Sequence, residues 1–75
     1  MRSQIGRIKT TQSRSLDGFS YNAETGTLTV MFLSGSAYCY RDVPVQIALG
    51  FAHAESAGAF FSGHIRNVYE VERIL

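Results

Sequence analysis

From Thr27 to Leu33 the chain alternates: Leu28, Val30 and Phe32 take one side and Thr27, Thr29 and Met31 the other. That period of two is what a half-buried strand requires. Ser34-Gly35 then reverses the chain into a second alternating run, Ser36–Arg41, which sets Tyr38 and Tyr40 on one side of a sheet. Upstream, residues 15–22 read as a further strand, closed by Asn22-Ala23-Glu24-Thr25-Gly26, a turn rich in residues that accept tight backbone angles. Ile5 and Ile8 belong either to another edge strand or to a short helix.

Past the sheet the period changes. Val43 is biased toward extended backbone by the proline that follows it, Pro44 suits a first helical turn, and Asp42 lies close to the N-cap position. Val45, Ala48, Leu49 and Ala52 recur at helical spacing, with Ile47 and Phe51 widening the stripe, so an amphipathic helix is expected over residues 44–54. Gly50 weakens that helix and marks close packing. Ser56 is placed to cap a second, shorter helix carrying Phe60, Phe61 and Ile65, with Gly63 a point of interruption. Val68–Ile74 has the β-branched and aromatic character of a segment that rejoins the sheet edge. The expected fold is therefore α+β: an antiparallel β-meander of about three to four strands, with one longer and one short helix packed on one face.

Seventy-five residues make one domain, near the size at which a single core is barely sufficient. Low charge (17%) beside 45% hydrophobic residues leaves more apolar surface than a small monomer tolerates, which points to a homo-oligomer. A net charge of +1 does not announce a nucleic-acid binder, but its distribution is uneven. Arg2, Arg7, Lys9 and Arg14 all precede the first acid, Asp17. Residues 1–14 are thus expected as a basic N-terminal arm or edge element, ahead of a single domain over 15–75. No apolar run approaches a membrane span and no signal-peptide centre is present, so a soluble, cytoplasmic protein without membrane contact is expected. The lone Cys39 fits a reducing compartment.

Where the tyrosines point depends on the turn. A two-residue Ser34-Gly35 turn sends Tyr38 and Tyr40 to the face of Met31 and Thr29; a three-residue turn with Gly35 in a bulge sends them to Leu28 and Val30, in the core. Aromatic residues are favoured in strands for packing alone, whereas tyrosine rather than phenylalanine at both positions argues for a partner to the hydroxyls. Exposed, the pair would be a platform on which bases stack, with Arg41 and Arg66 available to phosphate. Arg66 equally suits a cation at a helix C-terminus.

Taken in order, Ser34-Gly35, Tyr38-x-Tyr40, Val43-Pro44, Ala54-x-Ser56-x-Gly58-x-Phe60-Phe61 and Ile65-Arg66 ahead of Tyr69 resemble the KTSC family, from about Ser13 to Tyr69. These are small domains found at the C-terminus of some lysyl-tRNA synthetases and as stand-alone bacterial proteins. The chain departs from the family in its basic N-terminal extension and in Ser62-Gly63-His64, where relatives more often carry Asn or Arg. The resemblance implies a small binding domain with RNA as the suggested partner. Its candidate ligand-binding residues are Tyr38, Tyr40, Arg41, His64 and Arg66.

Catalytic chemistry is thin. Cys39 with His53 or His64 lacks an orienting third group, and Ser34-Gly35-Ser36 lacks the strand-to-helix context of a nucleophile elbow. The histidines have no spacing that gathers a carboxylate, so no metal and no cofactor is expected. Two non-enzymatic classes compete: a binder of RNA or a nucleotide-like small molecule, which as a stand-alone oligomer could hold its ligand between subunits, and a protein-interaction module using exposed Met31, Tyr38 and Phe61. Charge placement discriminates. A polynucleotide binder gathers arginines on one face, a small-ligand binder has an aromatic pocket with one or two arginines, and an interaction module shows an apolar patch with neither.

Overall fold

The structure, a computed structural model, describes residues 4–7 and 16–75. Five strands, β1 (Gln4–Arg7), β2 (Leu16–Asn22), β3 (Thr27–Phe32), β4 (Ala37–Tyr40) and β5 (Val71–Arg73), form one antiparallel sheet in the order β1-β2-β3-β4-β5. Two helices, α1 (Val45–His53) and α2 (Ala57–His64), lie between β4 and β5 in sequence. The α+β meander expected from the chain is the fold observed. Its sheet is larger than three or four strands because segments at both ends join it: Gln4–Arg7 pairs with β2, and Val71–Arg73 pairs with β4. Of the expected N-terminal arm, residues 1–3 and 8–14 lie outside the described residues.

Turn chemistry sets the register. Phe32 N–H donates to the Ser36 carbonyl and Gly35 N–H to the Phe32 carbonyl, leaving three residues in the turn with Gly35 at φ 96°. That left-handed backbone is open to glycine at no steric cost. Tyr38 and Tyr40 consequently sit opposite Val30 and Leu28, on the face the helices cover. The core on that face includes Leu16, Phe19, Tyr21, Leu28, Val30 and Tyr40 from the sheet, closed by Ala48, Phe51, Phe61 and Ile65.

A pinned elbow delivers the chain from sheet to helix. Asp42 takes a left-handed φ of 57°, and Val43 is held on both sides: its N–H donates to the Gly26 carbonyl at 2.8 Å and its carbonyl accepts from the Tyr21 hydroxyl at 2.6 Å. Tyr21→Phe is expected to cost about 1–3 kcal/mol in chemical denaturation, because a buried carbonyl loses its donor while the ring stays. Pro44 is the N-cap of α1 rather than its first turn, and Asp42 provides no cap bond. The stripe also differs from the expected one. Ala48 and Phe51 are buried, whereas Val45 is 45% and Leu49 52% exposed, since burying the large Phe51 ring against Phe19 at 4.9 Å turns the helix toward that side.

The expected close approach at Gly50 is present: a Cβ there would lie 2.7 Å from the Phe60 ring. Ser56 caps α2, its hydroxyl accepting from Ala59 N–H at 3.2 Å. Gly63 does not interrupt that helix, which runs on to His64.

Candidate functional site

The β3–β4 hairpin and the C-terminal end of α2 enclose an open cleft of about 530 Å³. The hairpin contributes Phe32, Tyr38, Ser34 from its turn and Ser36 just after it, the two serine hydroxyls 2.9 Å apart. Tyr40 lines the base, and α2 brings Phe61 and, just past its last turn, Arg66. The rings brace one another edge to face: Phe32 meets Tyr38 at 5.6 Å and Phe61 at 5.9 Å, and Phe61 meets Tyr40 at 5.7 Å. Such T-shaped contacts suit the ring quadrupole and hold the walls in place.

The two tyrosines are not equivalent. Tyr40 is 5% exposed and belongs to the core, so it offers no open stacking face. Tyr38 is half-buried, and its ring is approached by Arg73 from the neighbouring strand, the guanidinium carbon standing 5.9 Å from the ring centre. Burial raises the Tyr40 phenol above its ordinary value, the nearby Tyr38 adds to the rise, and the Arg66 charge offsets part of it. Neither tyrosine hydroxyl is hydrogen-bonded among the described residues, and no buried polar side-chain atom there lacks a partner; the Tyr40 hydroxyl therefore opens into the cleft.

Three of the five expected ligand-binding residues, Tyr38, Tyr40 and Arg66, come together here. Arg41 does not line the cleft. It sits beside Glu70 and Val71 and forms an ion pair with Glu72. His64 stacks instead on Phe60, ring centres 4.5 Å apart. Phe32, Ser34, Ser36 and Phe61 are lining residues that the sequence reading did not assign to a ligand.

The interaction patch of Met31, Tyr38 and Phe61 is not formed. Phe61 is buried, and Met31, opposite Ala37, points away from the face that carries Tyr38. Among the described residues the large exposed hydrophobics are aliphatic, including Leu33, Leu49, Val68 and Val71. Cys39, opposite Thr29, projects to the sheet face away from the tyrosines. Among the described residues no helix is long and apolar enough to cross a membrane.

Comparison with known proteins agrees with this architecture. The KTSC domain model matches residues 12–69. A lysine–tRNA ligase from Nostoc punctiforme is 38% identical over 56 residues, a stretch that spans 75% of this chain and 10% of that ligase. The crystal structure of the KTSC domain protein YPO2434 from Yersinia pestis superimposes with a TM-score of 0.83 at 26% identity, covering 96% of this chain and 97% of that one.

Proposed function

The chain belongs to the KTSC domain family, and we propose that it is a non-enzymatic binding module whose cleft takes nucleic acid or a nucleotide-like ligand. One observation carries this reading: an aromatic cleft whose one lining cation, Arg66, has no carboxylate partner among the described residues. A π-face at Tyr38, a guanidinium and two free phenol hydroxyls match a base, a phosphate and a sugar. The volume falls in the range of about 300–1,000 Å³ common to small-ligand sites. Among the described residues no histidine, cysteine or carboxylate lines the cleft, so its serine hydroxyls have no such base beside them there. The ligase relative, whose name places it on tRNA, supports the same ligand class.

Nuclear magnetic resonance titration of the chain with mononucleotides and short single-stranded RNA at low salt tests the proposal. Shifts should concentrate on Ser34–Tyr40 and Phe61–Arg66; no binding of RNA, DNA or nucleotides would remove the whole class. Tyr38→Ala is expected to weaken binding by about 1–3 kcal/mol through lost stacking, with a smaller loss of stability. Tyr38→Phe should retain most of the affinity, since the π-face survives.

A further inference from the structure

We infer that the cleft is built for a single phosphate, so that its ligand is one nucleoside monophosphate unit rather than a polyphosphate tail or a run of backbone. This rests on the nucleotide reading above and narrows it.

The count of available cations decides the matter. Arg41 is neutralised by Glu72 and has Glu70 beside it, so a phosphate approaching there meets two carboxylates. Arg73 keeps its charge but is not among the residues that line the cleft: its Nε donates to the Leu75 carbonyl at 2.8 Å, and its guanidinium carbon stands 5.9 Å from the centre of the Tyr38 ring. His64 is stacked on Phe60, and His53 ends α1 outside the cleft lining. Arg7 belongs to β1, at the opposite edge of the sheet from β5. That leaves Arg66 as the one cation lining the cleft among the described residues.

A guanidinium engages two oxygens of one phosphate through parallel N–H bonds. Tyr40 lines the same cleft, and its phenol hydroxyl, without a hydrogen-bond partner among the described residues, can donate to a third. Ser34 and Ser36 add neutral hydroxyls. A second or third phosphate would enter a cleft of aromatic rings and neutral hydroxyls with no further lining cation among the described residues to meet it. A polynucleotide backbone would likewise find, among the described residues lining the cleft, one charge where a row is needed.

Isothermal titration of the full chain with adenosine, AMP, ATP and a single-stranded hexa-adenylate, each at 50 and 200 mM salt, tests this. AMP should bind about tenfold or more tighter than adenosine, and ATP no tighter than AMP. One neutralised phosphate should lower the AMP affinity only about threefold across that salt range. Arg66→Ala should erase the advantage of AMP over adenosine and leave adenosine unchanged. The strand distinguishes the two sources of such a unit: AMP-like affinity with the same shallow salt dependence assigns a nucleotide of a strand, and binding of AMP without the strand assigns the free nucleotide. ATP tenfold tighter than AMP, a strand affinity falling fiftyfold or more with salt, or an Arg66→Ala variant with AMP affinity intact would overturn the single-phosphate inference while leaving nucleotide binding in place. Failure of all four probes to bind would remove both.

Discussion

Tyr40→Ala is expected to destabilise the domain by about 3–5 kcal/mol, the range of large aromatic truncations in a core. Much of the stability of so small a domain would be gone. The ring is buried opposite Leu28 and packs edge to face on Phe61, so its removal leaves a void at the junction of sheet and α2. Tyr38→Ala, on the half-buried neighbour, should cost less stability and more binding. Urea denaturation of the two variants measures the contrast directly; equal losses would mean that Tyr38 is as structural as Tyr40. Tyr40→Phe keeps the ring and isolates the hydroxyl. Because burial raises the Tyr40 phenol above its ordinary value of 10.0, the unfolded chain gives up that proton first as pH climbs. The stability tied to this group is therefore full below pH 10 and is lost as pH rises through the folded value. Tyr40→Phe should flatten that part of the alkaline decline.

The difference between those two tyrosines was not readable from the chain, and the reason is one turn residue. Alternation in β3 and β4 is plain in the sequence, but both a two-residue and a three-residue turn are open to Ser34-Gly35. Only the bond from Phe32 N–H to the Ser36 carbonyl, with Gly35 at φ 96°, decides between them. Choosing the second puts the whole pair on the core face. The position of α1 was legible and its rotation was not, since both stripes are apolar and the choice follows the bulk of Phe51. Two features of the site follow from residue spacing alone. Arg41 follows Tyr40 directly, and adjacent residues on a strand point to opposite faces, so Arg41 and Tyr40 do not share a wall. His64 stands four residues after Phe60, off the stripe of Phe61 and Ile65 that faces the core. The serine hydroxyls had no such signal, because a turn that needs Ser-Gly for its backbone looks the same whether or not its side chains border a cleft.

Phe51→Ala should have an effect as large as Tyr40→Ala, about 3–5 kcal/mol, with a different consequence for the site. Phe51 is the ring that ties the layers together. It meets Phe19 of β2 at 4.9 Å, stacks toward Phe60 of α2 at 6.1 Å and lies 6.3 Å from Phe61. Phe61 in turn braces both Phe32 and Tyr40, so the cleft wall depends on Phe51 at one remove. Truncation at Phe51 should therefore lower the unfolding midpoint and also weaken ligand binding in whatever fraction remains folded, although the residue never touches the cleft. Phe51→Leu, which refills most of the volume without an aromatic face, should restore the greater part of the stability. Calorimetric melting of Phe51→Ala and Phe51→Leu, with ligand titration of the folded protein well below the midpoint, separates the two effects. A variant that loses stability yet binds like the parent would show that α2 holds Phe61 and Arg66 in place through its own contacts with the sheet, and that the aromatic chain from β2 to the cleft transmits nothing.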